Sequence, residues 1–169
     1  ENTLDAFDRA AKMGADGVEL DVQRSADGHL VVAHDETVDR VSEGRGRLAT
    51  MTLAQLKALN AGHYMPGYGL ARFPSLAEVF ALLRPTRLLF NVEMKNSIEP
   101  YPGMEEQIIT LAREMGVADR VWFSSFHHPS LVRVKEIAPE FPCGLLYDCV
   151  LVRPWQYAKM LGMDALHPH

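Results

Sequence analysis

Residues 18–35 read V-E-L-D-V-Q-R-S-A-D-G-H-L-V-V-A-H-D. Val18, Leu20 and Val22 alternate with Glu19, Asp21 and Gln23, which is the two-residue period of a strand. Side chains two apart on a strand share a face and stand about 6.6 Å from each other along the chain. Glu19 and Asp21 therefore project together. Asp27-Gly28 is a strong hairpin signal, because a two-residue type I′ loop needs positive φ at both central positions. With those two residues as the loop, Ala26 pairs with His29 and Asp21 comes opposite His34, with Cβ atoms about 4.5–5.5 Å apart. Acidic strand residues are mostly solvated edge groups. Here apolar residues flank both arms (Val18, Leu20, Val22; Leu30, Val31, Val32), and a carboxylate in a buried strand needs a partner or a metal. Two carboxylates and an imidazole on one face make a candidate site.

The same logic recurs at N-V-E-M-K, residues 91–95. Asn91, Glu93 and Lys95 share a face opposite Val92 and Met94. Glu93 alone reads best as the ion-pair partner of Lys95. Beside Glu19 and Asp21 it makes a third carboxylate, and three carboxylates without thiols or several imidazoles suit Mg²⁺ or Ca²⁺ rather than zinc. Lys95 next to such a cation can hold a phosphate oxygen. The other histidines are weaker candidates. His127 and His128 precede a helix and suit capping or solvent, His63 suits the surface, and His169 alternates with His167 so that it could face the site.

Around these two stretches, the spacing predicts a helix capped by Asn2, with Leu4, Phe7, Ala10 and Ala11 on its apolar stripe and Gly14 at its end. Residues 37–73 are punctuated by Gly44, Gly46, Gly62, Pro66, Gly67 and Gly69 and read as an insertion, a lid or flap beside the site. One short helix is expected there, opened by a Thr52/Gln55 capping box. A second box, Ser75/Glu78, opens a longer helix that Pro85 stops. Beyond it strands (88–94, 121–125, 143–147, 164–167) alternate with helices (102–115, 129–137, 154–161). Alternating β and α with near-continuous apolar strands means a parallel sheet covered by helices. The polar groups fall at the C-terminal ends of the strands, where (β/α)8 barrels keep their active residues. Five strands of the repeating kind are present, while a barrel needs eight and about 250 residues.

The chain has 169 residues, the length of a single domain able to bury a real core, and a net charge of −5. It has no basic stripe for nucleic acid and no apolar run long enough to span a membrane. Cys143 and Cys149 form no metal-binding pattern and read as free, buried thiols of a reducing, cytoplasmic compartment, with a disulfide as the alternative.

Taken in order, E-N-T-L-D-A-F, G-A-D-G-V-E-L-D-V-Q, D-G-H-L-V-V-A-H-D, N-V-E-M-K, F-S-S-F and L-H-P-H resemble the glycerophosphodiester phosphodiesterase family over the full length. Each motif is weak, but the ordered set is specific. The resemblance implies a (β/α)8 TIM barrel with a small insertion after its second strand. It also implies a divalent cation, Mg²⁺ or Ca²⁺, and hydrolysis of a small glycerophosphodiester to glycerol 3-phosphate and an alcohol. By matching position it makes Glu19, Asp21 and Glu93 the metal ligands, His34 one of two acid/base histidines, and Lys95 a phosphate contact. The family's other histidine lies in a His-Arg-Gly just ahead of Glu-Asn-Thr, on a first strand this chain lacks, and the family continues for two further strands. The chain is therefore expected to be a partial barrel that exposes strand edges and folds poorly by itself. Two rival readings stand beside the enzyme: a catalytically inactive metal-binding barrel domain, and a related barrel phosphodiesterase acting on another phospholipid-derived diester.

Overall fold

A computed structural model describes residues 1–65, 67 and 69–169. Its elements run α1 (Leu4–Lys12), β1 (Gly17–Arg24), β2 (Leu30–Val32), α2 (Leu53–Ala58), α3 (Leu76–Leu83), β3 (Leu89–Met94), α4 (Met104–Glu114), β4 (Val121–Ser125), α5 (His128–Ile137), β5 (Cys143–Tyr147), α6 (Pro154–Leu161) and β6 (Ala165–Pro168), with 3-10 turns at Leu48–Thr50 and Ala118–Arg120. The sheet order is β2-β1-β3-β4-β5-β6. β1, β3, β4, β5 and β6 pair in parallel and β2 is antiparallel to β1. The five repeating strands form an open arc, with β2 and β6 at its edges. This is part of a (β/α)8 barrel.

Strand alternation divides the arc into two faces. Val18, Leu20, Val22, Phe90, Val92, Met94, Phe123, Cys143 and Leu145 join one apolar cluster with Val79, Phe80 and Leu83 of α3, Ile108 of α4 and Leu131 of α5. Phe80 meets Phe90 edge to face at 5.0 Å, and Phe123 meets Phe141 at 5.4 Å. Such buried rings each hold about 3–5 kcal/mol against truncation to alanine. The opposite face carries the polar residues. Its central row follows from the register: Asp21 beside Glu93, Glu93 beside Ser124, and Ser124 beside Gly144. A side chain at Gly144 would drive its Cβ to within 2.5 Å of the His167 ring, so glycine is what admits that imidazole to the row.

Two expectations need correction. The hairpin loop is one residue longer than a type I′ turn. β1 and β2 pair Val22 with Val32, Gln23 with Val31 and Arg24 with Leu30, so Asp21 faces Ala33 and not His34. Ser25 sets this register. Its carbonyl accepts from the Gly28 amide, and its hydroxyl bonds the Asp27 carboxylate at 2.6 Å and accepts from the His29 amide at 3.0 Å. Gly28 alone takes positive φ, +85°; this is a three-residue loop with a glycine bulge. The cap of α1 is Thr3, whose hydroxyl accepts from the Ala6 amide, and not Asn2. The stretch 37–73 also contributes to a core. Val31, Ala33, Val38, Leu48, Leu56 and Phe73 form a second apolar core over β2. Pro66, one of the punctuating residues, lies outside the described residues. Both capping boxes, Thr52/Gln55 and Ser75/Glu78, form as read.

Candidate metal and phosphate site

β1 and β3 run parallel with Glu19 beside Asn91 and Asp21 beside Glu93, so Glu19, Asp21 and Glu93 meet on the polar face. Each offers a carboxylate oxygen within 4.8 Å of the others. The side chains of Asp21 and Glu93 are nearly buried, while Glu19 opens to solvent on one side. Lys95 continues β3 over this group, its Nζ 3.0 Å from Glu93 Oε1 and 3.7 Å from Asp21 Oδ1. One cation among three carboxylates leaves the cluster overcharged. Burial first, then the charges of Asp21 and Glu93, push the Glu19 carboxyl up to about 7. Burial raises Glu93 as well, against the opposing hydrogen bond from Lys95. Burial works against the Lys95 ammonium, but Glu93 and Asp21 outweigh it and hold Lys95 above its ordinary value.

A divalent cation fits this donor set. It would relieve the repulsion that raises Glu19, and the oxygens are all hard. Two further polar atoms on the same face, Asn91 Oδ1 and Ser124 Oγ, are buried without a hydrogen-bond partner. Polar atoms buried in that state call for a ligand or water.

His34 lies past the end of β2, beside Lys95, with Nε2 3.4 Å from Nζ and Nδ1 2.6 Å from Asp35 Oδ1. Lysine ammonium can only donate and the carboxylate can only accept, so the partners assign the proton to Nδ1 and a lone pair to Nε2. Arg40 grips Asp35 through Nε at 2.6 Å and Nη2 at 3.1 Å, and also binds Glu1. This guanidinium holds the Asp35 carboxyl below the usual carboxylate range. The group is an oriented imidazole with an ionised carboxylate behind it, the arrangement that fixes a tautomer for proton transfer.

The structure thus gathers Glu19, Asp21, Glu93, Lys95 and His34 as the sequence reading expects, although His34 arrives by a different route. Two neighbours escaped that reading. Asn2 donates to Asp21 Oδ2 at 2.8 Å and accepts from its amide, with its own backbone at φ +49°. Asp35 orients His34. The His-Asp adjacency was the available signal for Asp35; nothing local marks Asn2, whose target lies 19 residues away. The weaker histidines stay outside. His127 bonds the Ser130 hydroxyl at the start of α5, His128 bonds the Leu146 carbonyl, and His63 stacks edge-on with Tyr64. His169 follows β6, where its amide bonds Tyr147, and does not join the carboxylates.

The sequence profile described as the glycerophosphoryl diester phosphodiesterase family matches residues 1–169. A glycerophosphodiester phosphodiesterase of Caldanaerobacter subterraneus subsp. tengcongensis is 48% identical over 169 residues, which cover 99% of this chain and 70% of that protein. Among solved structures, an Oleispira antarctica phosphodiesterase in complex with the product sn-glycerol-3-phosphate superposes with a TM-score of 0.82 at 29% identity, covering 100% of this chain and 69% of that one. The glycerophosphodiester phosphodiesterase of Thermotoga maritima, a TIM barrel, superposes with a TM-score of 0.76 at 26% identity, covering 99% and 67%. With its fold, its motifs in order and its full-length match all in agreement, the chain belongs to the glycerophosphoryl diester phosphodiesterase family.

Proposed function

We propose that this protein hydrolyses glycerophosphodiesters to glycerol 3-phosphate and an alcohol with the help of a divalent cation held by Glu19, Asp21 and Glu93. The observation that carries the proposal is the convergence of those three carboxylates with Lys95 and an oriented His34 at one end of the polar face. The product bound in the Oleispira antarctica phosphodiesterase is in keeping with it. When bound, a divalent cation supplies charge neutralisation for the phosphate and acidity for a coordinated hydroxyl. Lys95 supplies a fixed positive charge to a phosphate oxygen, in a place where the surrounding carboxylates keep it protonated. His34 moves the proton. Once the Lys95 ammonium turns to the phosphate, the Nε2 lone pair that accepted from it can take the proton of the attacking hydroxyl as the new P–O bond forms, or the imidazolium can protonate the alkoxide as the ester P–O bond breaks. Asp35 and Arg40 hold the imidazole in that orientation.

The test is release of glycerol 3-phosphate from glycerophosphocholine by the purified full-length protein. Release is expected to fall to background in EDTA and to return when Mg²⁺ or Ca²⁺ is added in excess. Release undiminished by EDTA would overturn the role given to the carboxylates.

A further inference from the structure

His34 reaches the site from beyond the paired part of the hairpin. The last backbone bond between β1 and β2 runs from the Ala33 amide to the Asp21 carbonyl at 3.0 Å, and strand pairing does not carry on to His34 and Asp35. A side chain holds them instead. Gln23 sits on β1 two residues past Asp21, on the same face and fully buried. Its amide nitrogen lies 3.2 Å from the Ala33 carbonyl, 3.1 Å from that of His34 and 2.5 Å from that of Asp35. Three successive carbonyls thus converge on one amide, which wraps the backbone around it and turns the His34 side chain toward Lys95. The amide is itself held. Tyr101 donates its hydroxyl to Gln23 Oε1 at 3.1 Å, and fixes which end of the amide faces the carbonyls. Tyr101 is buried under the Arg24 guanidinium, 5.5 Å from its ring centre, and Arg24 in turn donates to the Pro102 carbonyl at 2.9 Å.

We infer that Gln23, locked by Tyr101, is a positioning residue for His34, and that it sets the distance between the proton-transfer imidazole and the metal and phosphate site. This rests on the reading of His34 as the proton carrier. Gln23 touches none of the reacting groups and acts only through the 33–35 backbone. Removing its donors takes the partner from the buried Ala33 carbonyl and the half-buried carbonyls of His34 and Asp35, and frees the turn. A displacement of about 1 Å at a reacting group costs on the order of 10²-fold in rate.

The variant Gln23→Met keeps length and volume while deleting the amide. On glycerophosphocholine with saturating Mg²⁺, kcat is expected to fall by about 10–10²-fold, while KM and the Mg²⁺ dissociation constant stay within about threefold of the parent. In a His34→Ala background the same substitution is expected to cost nothing further in kcat, because the group it positions is gone. A merely structural role would instead multiply the two losses. Tyr101→Phe is expected to lower kcat by a smaller factor in the same direction, and carries the test alone if Gln23→Met does not fold. Unchanged kcat in a folded Gln23→Met protein, or in Tyr101→Phe when it is the sole folded variant, overturns the inference. So do losses that multiply with His34→Ala. Should the parent protein release no glycerol 3-phosphate, the phosphodiesterase reading fails separately. Hydrogen exchange across residues 33–37 then decides the strut: faster exchange confined to that turn in Gln23→Met upholds it, and unchanged exchange removes it.

Discussion

Asp35 accepts from His34 on one side and from Arg40 on the other, and the Arg40 contact is what holds its carboxyl low. A carboxyl with a depressed folded pKa stabilises the fold fully above its ordinary value of about 3.9, and loses that contribution as pH falls through the folded value. The stability gap between the parent and Asp35→Asn is therefore expected at pH 6 and should shrink below about pH 4, as read from urea midpoints. The same substitution should lower kcat by about 10–10²-fold while leaving the Mg²⁺ dissociation constant unchanged, because the asparagine no longer balances an imidazolium. Most of this site was legible from alternation alone. Glu19 with Asp21, and Asn91 with Glu93 and Lys95, share faces for the reason that any strand residues two apart do. The position of His34 was not legible in the same way. Asp27-Gly28 satisfies the pattern of a two-residue loop, but hydrogen bonds from Ser25 draw in one more residue and slip the register. His34 still reaches the site because Gln23 gathers the backbone beyond the ladder, and side-chain-to-backbone ties of that kind have no period to read.

Helices were legible wherever their ends carried capping chemistry. Ser75 accepts from the Glu78 amide while the Glu78 carboxylate bonds back to the Ser75 amide at 2.8 Å, and Glu78 also pairs with Lys57 of α2. Ser75→Ala is expected to lower stability by about 0.5–2 kcal/mol, seen as a shifted midpoint in urea with an unchanged m-value. An unshifted midpoint would mean that the box adds nothing at this helix. The second core illustrates the opposite case. Val31, Ala33, Val38, Leu48, Leu56 and Phe73 pack together although no regular interval links them. Their meeting depends on where the glycine-rich chain turns, so composition indicated an excursion and concealed a cluster. The N-terminal cap failed for a related reason. Asn2 is the better cap by residue type, and the role falls to Thr3 because Asp21, distant in sequence, engages Asn2.

Across the whole molecule, alternation of strands and helices was enough to read a parallel sheet covered by helices, while the barrel came from the polar strand ends and the family resemblance; five parallel strands are present. Among the described residues, no helix is long and apolar enough to cross a membrane. Both cysteines are free, but only Cys143 is buried; Cys149 is exposed, against the expectation of two buried thiols. Burial pushes the Cys143 thiol up to about 12, so it stays protonated and out of reach. A thiol reagent such as Ellman's is expected to titrate Cys149 in the folded protein and to reach Cys143 only after denaturant is added. Immediate reaction of both would contradict the burial of Cys143 in β5. The proposed site divides its labour: carboxylates hold a cation and an imidazole moves a proton. The most direct test measures kcat on glycerophosphocholine and the Mg²⁺ dissociation constant by calorimetry in Glu93→Gln and His34→Ala side by side. The account predicts that Glu93→Gln loses both, whereas His34→Ala loses about 10²–10⁴-fold in kcat and keeps its Mg²⁺ affinity. Equal loss of metal binding in the two variants, or full turnover in His34→Ala, would contradict it.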